Sequence, residues 1–264
     1  MPESINSIRE RLYNHLLLTQ EQRERFDVIL VSPRNPLNIG AVARAMANFG
    51  FTRLSVVEAH DPNWREAKSA VGAPELLASA QEYSTLAAAI ASRTLVLGTG
   101  TLTYRKPDQP VIPLPALAPR VHHELERGGR IAILFGSEKR GLSRDELSWC
   151  HALIEIPTDA RQPSMNLGQA TAVCLYELAC GNAHAHSEPD PAQHPVSSAV
   201  LDRLASLIEE TMLAANYSPK SMHETNRHDL RVVLRQLHIS PLDARRIFGL
   251  FRRILHRLTE KSGQ

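Results

Sequence analysis

Arg44 stands six residues after Asn38 in the stretch Asn38-Ile39-Gly40-Ala41-Val42-Ala43-Arg44, a charge among alanine, valine and methionine neighbours. With Asn38 as N-cap and Gly40 beside it, the helix start offers free backbone N–H groups that attract anions. Arg44 can fold back to that mouth and give a phosphate or carboxylate a two-pronged grip. The competing reading is a surface arginine on an amphipathic helix. A second stretch, Phe135-Gly136-Ser137-Glu138-Lys139-Arg140-Gly141, puts a glycine directly after an apolar run, where a side chain would obstruct a ligand. Glu138 there can anchor Arg44 or Arg140, or accept a hydrogen bond from a hydroxyl. A tight turn explains Gly136 and Gly141 equally simply. The third stretch, Ile156-Pro157 followed by Ser164-Met165-Asn166-Leu167-Gly168, supplies small polar groups before a helix, suited to capping or to substrate.

These stretches need elements to position them, and the hydropathy pattern supplies those. Residues 4 to 25 read as an amphipathic helix with Ile5, Ile8, Leu12, Leu16 and Leu17 on one side. Val28–Val31, Leu54–Val57, Thr94–Gly98, Ile131–Phe135 and Leu153–Ile156 read as buried strands. Helices are expected from Asn38 to Gly50, near 117–127, after the Ser143/Glu146 capping box, and from Leu167 to Ala179. Residues 63 to 90 read as mostly helical, and the prolines from 107 to 119 as irregular chain. Alternating β and α elements with apolar strands imply a doubly wound α/β sheet, mostly parallel, whose ligand sites lie where strands end. The three stretches are therefore expected to meet in one pocket.

Residues 181 to 196 turn small, polar and proline-containing, which marks a linker. The domains are then 1–180, a catalytic unit, and 197–264, an all-helical C-terminal extension. In the extension Ser240, Pro241 and Asp243 mark a helix start, with Leu242, Ile247, Leu250, Phe251, Ile254 and Leu258 as its apolar face. Arg245, Arg246, Arg252, Arg253, Arg257 and Lys261 cluster there, either as a phosphate-binding face or as a solvated helix surface.

Bulk properties exclude several classes. The 264 residues are 43% hydrophobic and 22% charged with net charge +2, as in an ordinary globular protein. No run reaches the roughly 18 apolar residues that span a bilayer, and no apolar leader is visible, so a cytoplasmic protein without a membrane partner is expected. Cys150, Cys174 and Cys180 have no metal-ligand spacing and read as buried thiols. His184, His186 and His194 lack a second cluster, so no metal is expected. Thr99-Gly100-Thr101 belongs to neither a GxGxxG fingerprint nor a GxxxxGK[ST] loop, and no GxSxG elbow occurs.

Taken in order and spacing, NIGAVARAMANFGF, LFGSEKRGLS and IEIPTDARQPSMNLGQATAV resemble the three motifs of the SpoU/TrmH branch of the SPOUT RNA methyltransferases. The helical extension makes the chain most similar to the bacterial TrmJ group, which methylates the ribose 2′-hydroxyl of nucleotide 32 in the tRNA anticodon loop. The resemblance covers residues 28 to 180; Met165 stands where that branch often has leucine. It implies a C-terminal deep trefoil knot, which no generic rule would predict, and a homodimer. S-adenosyl-L-methionine is the implied cofactor, held at Thr99, Gly100, Thr101, Gly136, Ile156, Ser164, Met165 and Leu167. Arg44, Asn38, Glu138, Ser164 and Asn166 are the implied catalytic set, and tRNA the implied partner. Two alternatives stand beside this: 2′-O-methylation of ribosomal RNA or of another tRNA position, and a non-catalytic RNA-binding protein of the same fold.

Overall fold

The computed structural model describes residues 18–100, 107–180, 196–217 and 220–262. Most of the expected N-terminal helix, the linker with its three histidines, and Thr101 lie outside these residues. Thr19 caps a single turn, α1 (Gln20–Arg23), through a capping box with Gln22. The chain continues through β1 (Phe26–Val31), α2 (Pro36–Asn48), β2 (Leu54–Val57), α3 (Pro74–Ser79), β3 (Gln81–Tyr83), α4 (Leu86–Ile90) and β4 (Leu95–Thr99). Then come β5 (Val111–Pro113), α5 (Ala118–Glu126), β6 (Ile131–Phe135), α6 (Arg144–Ser148), β7 (Ala152–Glu155) and α7 (Leu167–Cys180). Three further helices follow: α8 (Ser198–Ala214), α9 (His223–Gln236) and α10 (Pro241–Ser262).

The strands form one seven-stranded parallel sheet in the order β3-β2-β1-β6-β4-β7-β5. Alternate side chains separate its two faces, as the period of two requires. Val28, Leu30, Ile131, Ile133 and Phe135 join a core completed by residues of α2, α5 and α7. Ile29, Val31, Val96, Ala132 and Leu134 face the other way, under α4 and α6. Both faces are covered, which is why the central strands read as continuous apolar runs.

Two edge strands depart from the expected pattern. Between residues 63 and 90, which read as mostly helical, the chain makes a 3₁₀ turn at Trp64–Glu66 and two short helices around β3. β3 is Gln-Glu-Tyr and largely exposed, so it lacks an apolar signature; it forms because β2 offers an unpaired edge at Ser55–Val57. β5 sits inside the proline-rich stretch and pairs with β7, at the sheet edge, where its terminal Pro113 is tolerated.

α8 packs on α9 and α10 around Leu204, Ala205, Ile208 and Leu234, with Ile247, Phe248 and Phe251 of α10 against them. Ser240 caps α10 by accepting from the Asp243 N–H at 3.1 Å. The apolar face expected of α10 is only half used: Ile247 and Phe251 pack, whereas Leu242, Leu250 and Ile254 are 55%, 57% and 38% exposed. Arg245, Arg246, Arg252, Arg253 and Arg257 are all exposed.

Candidate active site

The carboxyl ends of β6, β4 and β7 are adjacent in the sheet, and the loops leaving them enclose a cavity of about 300 Å³. Thr99 and Gly100 follow β4, Gly136 to Gly141 follow β6, and Glu155 and Ile156 end β7, with Ser164, Met165 and Leu167 closing the side before α7. Sites at strand ends in open α/β sheets arise this way. The Thr99 hydroxyl donates to the Leu134 carbonyl at 2.9 Å, so it braces β4 against β6 at the cavity floor. Gly136 is required by close approach: a Cβ there would lie 2.1 Å from Gly141 C and 2.2 Å from Leu142 N. The loop folds back on itself through the Gly141 N–H to Ser137 carbonyl bond of 2.8 Å, with Gly141 at φ +65°. Phe135, Ile156, Met165, Leu167 and Ala170 give the cavity an apolar wall.

The helix after β1 starts earlier than expected. Asn35, not Asn38, is its N-cap, accepting from the Leu37 N–H at 2.9 Å, and Pro36 takes the first helical position. Proline prefers that position because its fixed φ suits it and it has no N–H to satisfy. Asn38 is thereby freed to point outward. Its Nδ2 donates to Glu138 Oε1 at 2.9 Å, and its Oδ1 accepts from Asn166 Nδ2 at 2.9 Å. Asn166 also caps α7, accepting from the Gly168 N–H at 2.9 Å. One side chain from each of the three stretches therefore joins a single chain of hydrogen bonds, whose Glu138 lines the cavity.

Glu138 also accepts from the backbone N–H groups of Arg34 and Asn35, each at 3.0 Å. The N–H groups before α2, expected to attract a ligand anion, are thus partly taken by an internal carboxylate. Partial burial disfavours the charge on Glu138, but the bonds from Asn38, its own backbone, Asn35 and Arg34 outweigh this and hold its carboxyl below the usual range. Glu138 does not anchor Arg44. Gly40 serves packing rather than a ligand. A Cβ there would lie 2.1 Å from Ser69 Oγ and 2.8 Å from Ala70 N, so the glycine admits the 67–70 loop across α2.

Residues 25–176 match the SpoU rRNA Methylase family. The chain belongs to this family, and so to the RNA methyltransferases. It is 34% identical over 186 residues, 68% of this chain and 70% of the other, to the tRNA (cytidine/uridine/adenosine-2′-O-)-methyltransferase TrmJ of Pseudomonas aeruginosa. It is 30% identical over 200 residues, 72% of this chain and 80% of the other, to the tRNA (cytidine/uridine-2′-O-)-methyltransferase TrmJ of Klebsiella pneumoniae. Among solved structures, TrmJ from Z. mobilis ZM4 superposes with a TM-score of 0.76 at 28% identity, covering 86% of this chain and 98% of that one.

In this SpoU methylase the structure gathers Thr99, Gly100, Gly136, Glu138, Ile156, Ser164, Met165 and Leu167 around one cavity, with Asn38 bonded to its lining residue Glu138 and Asn166 bonded to Asn38. Arg44 is not among the lining residues. It lies exposed on α2, about 9 Å along the axis from Asn38 at 1.5 Å per residue. Seven residues from Leu37, it shares that residue's face of the helix. Ser137, Lys139, Arg140, Glu155, Thr158 and Pro163 also line the cavity, beyond the residues that the sequence points to. The first three sit inside the second stretch, whose pattern singles out only Gly136 and Glu138 as ligand-facing. Glu155, Thr158 and Pro163 carry no separate signal.

Proposed function

We propose that the protein transfers a methyl group from S-adenosylmethionine to the ribose 2′-hydroxyl of tRNA, at nucleotide 32 of the anticodon loop. The observation that carries this is the Glu138–Asn38–Asn166 chain of hydrogen bonds beside a cavity lined by Gly100, Gly136 and Gly141. The tRNA 2′-O-methyltransferase names of the Pseudomonas and Klebsiella relatives support the substrate and the atom. The cavity residues fit the cofactor: the apolar wall suits a flat base, a Cβ at Gly100 would meet nothing within 4 Å among the described residues, and Ser137 and Ser164 offer hydroxyls to the cavity. When bound, S-adenosylmethionine supplies an electrophilic sulfonium methyl. Thr99, Gly100, Gly136, Ile156, Ser164, Met165 and Leu167 would hold it, with Thr101 beyond the described residues.

The protein's own contribution is to hold the hydroxyl in line and manage its proton. An arginine stays protonated and is a poor base, so Arg44 grips a substrate phosphate and stabilises developing alkoxide. Asn38, Glu138 and Asn166 fix α2 against the cavity loops, and Ser164 meets the cofactor or substrate at the rim. Leu37 (55% exposed), Val173 and Tyr176 (56%) leave an apolar face across α2 and α7 that also bears Arg44. A homodimer packed on this face would cover it and set Arg44 at a subunit boundary. The trefoil knot, the division into 1–180, 181–196 and 197–264, a cytoplasmic location, and tRNA backbone contact by the exposed arginines of α10 belong to the same reading.

The decisive experiment is methyl transfer to purified tRNA transcripts with nucleotide 32 as ribose or as 2′-deoxyribose. Transfer should vanish on the deoxy substrate. Undiminished transfer would overturn the position. Preference for ribosomal RNA fragments would favour the second reading, which rests on the family's description as rRNA methylases.

A further inference from the structure

α9 touches two segments that are distant in sequence and that both return from the cavity loops to the sheet. The first leads into β5: Asp108 Oδ2 lies 3.3 Å from His228 Nε2, and the Asp108 carbonyl accepts from Gln236 Nε2 at 2.7 Å. The second is α6 with its C-terminal end. Arg231 Nη1 donates to Asp145 Oδ1 at 2.9 Å, and its guanidinium lies 3.8 Å over the Trp149 ring. Arg235, 1% exposed, sits 5.2 Å from the same ring and donates to the Arg231 carbonyl at 3.2 Å. Gln109 Nε2 ties the two segments together by donating to the Leu147 carbonyl at 2.8 Å.

The packing continues to the cavity. Trp149, Cys150 and Leu142 belong to one buried cluster. Cys150 Sγ and Leu142 Cδ1 fill the space beside Gly98, at 2.7 and 3.2 Å from where a Cβ would stand. Gly98 immediately precedes Thr99-Gly100, and Leu142 immediately follows Gly141. The residues that α9 presses on therefore abut both glycine loops. Burying an arginine is costly, and Arg235 Nε and Nη2 have no partner among the described residues. An apolar side chain would cover the sheet more cheaply, so cover alone does not explain two guanidiniums on one indole.

We propose that α9 is a clasp for the cofactor loops, with Arg231 and Arg235 as positioning residues that hold Trp149 and Cys150 against Gly98 and Leu142. The cofactor part rests on the S-adenosylmethionine reading of the cavity. The C-terminal helices would then set cofactor affinity in addition to any contact with RNA.

The test uses the full chain carrying Arg231→Ala, Arg231→Lys or Arg227→Ala. Arg227 is the control, because its ion pair with Glu209 at 3.0 Å joins α9 only to α8. S-adenosylmethionine binding is measured by titration calorimetry, and hydrogen exchange of the 137–142 amides is followed without ligand. Arg231→Ala should weaken cofactor binding about fivefold or more, the low end of ordinary coupling between sites, and speed exchange at 137–142. Arg231→Lys should recover part of both effects, and Arg227→Ala should change neither. Equal effects of Arg231→Ala and Arg227→Ala, or none from either, overturn the clasp. A wild-type protein that binds no S-adenosylmethionine refutes the cofactor reading instead, and the ligand-free exchange still decides whether α9 holds the loops.

Discussion

Asn38 donates its side-chain amide to Glu138 Oε1 across 2.9 Å, fastening the first turn of α2 to the loop that follows β6. The two residues are a hundred positions apart, and the bond sets where α2 stands relative to the cavity. Being partly exposed, it contributes about 1 kcal/mol or less to stability once solvent screening is counted. In the proposed methyl transfer its weight would be larger, since displacing a reacting group by an ångström costs about 100-fold in rate. Asn38→Ala should therefore cut methyl transfer by about that factor while the melting temperature barely moves. A variant that lost stability and activity in proportion would show Asn38 to be merely structural.

The same contact predicts a pH dependence. The Glu138 carboxyl is held below its ordinary 4.5, so between its folded value and 4.5 the unfolded chain binds more protons. Its contribution to stability is then complete above pH 4.5 and disappears as pH falls through the lower folded value. Thermal melts of wild type and Glu138→Gln should differ by a constant amount at neutral pH and converge on acidification. Curves that stay parallel through that range would place the stabilising charge elsewhere.

Gly136 and Gly100 separate folding from binding. The Cβ of Gly136→Ala meets backbone atoms of Gly141 and Leu142, which cannot swing aside. This substitution should destabilise by about 1–3 kcal/mol and abolish cofactor binding. Gly100→Ala meets nothing within 4 Å among the described residues, so it should melt like wild type yet bind S-adenosylmethionine more weakly. Calorimetry on both variants checks the pair. Normal binding by Gly100→Ala would move the cofactor away from the β4 loop.

What the sequence discloses and what it hides follow from the range of the forces involved. Buried strands such as Ile131–Phe135 announce themselves, because both faces must be apolar. So does the Ser143/Glu146 capping box, a contact within three residues. β3 and β5 stay hidden because an edge strand is made by its neighbour's unpaired backbone, not by its own composition. The cap of α2 is legible but easily misplaced: Asn35-Pro36 is the cap-plus-first-turn pair, and choosing Asn38 puts that side chain in the wrong role. The partnership of Asn38 with Glu138 and Asn166 depends on how β1, β6 and β7 line up, which no local pattern records. Half of the α10 stripe is overread, because apolar spacing shows which side could be buried and not whether a partner is there.

His151 gives a second pH test, independent of the candidate site. It is buried, its Nδ1 accepts from the Val96 N–H at 3.0 Å, and its ring is held neutral with a pKa well below 6.5. Burial is the main cause, joined by the nearby charges of Arg235, Arg120 and His238. Below pH 6.5 the unfolded chain takes up a proton that the folded chain refuses, so stability falls with acidification by up to about 1.4 kcal/mol per pH unit. His151→Asn keeps an acceptor near Nδ1 and removes the titration. Urea unfolding between pH 8 and 5 should give a flatter profile for the variant. Identical slopes would mean that His151 is not the group responsible.

Arg44 offers the sharpest separation of roles, because it is exposed on α2 and lines no part of the cavity. Removing it should leave cofactor binding and folding untouched. A guanidinium that grips phosphate with two parallel N–H groups cannot be replaced by an ammonium of equal charge. Arg44→Lys is therefore expected to lose nearly as much turnover as Arg44→Ala, with S-adenosylmethionine affinity equal to wild type in both. Near-normal turnover in Arg44→Lys would reduce its role to simple charge. Lost cofactor affinity in Arg44→Ala would instead mean that α2 reaches the cofactor pocket, with a subunit boundary as the route. Mixing Arg44→Ala protein with a cofactor-loop variant such as Gly136→Ala would then restore activity only if the two sites belong to different protomers.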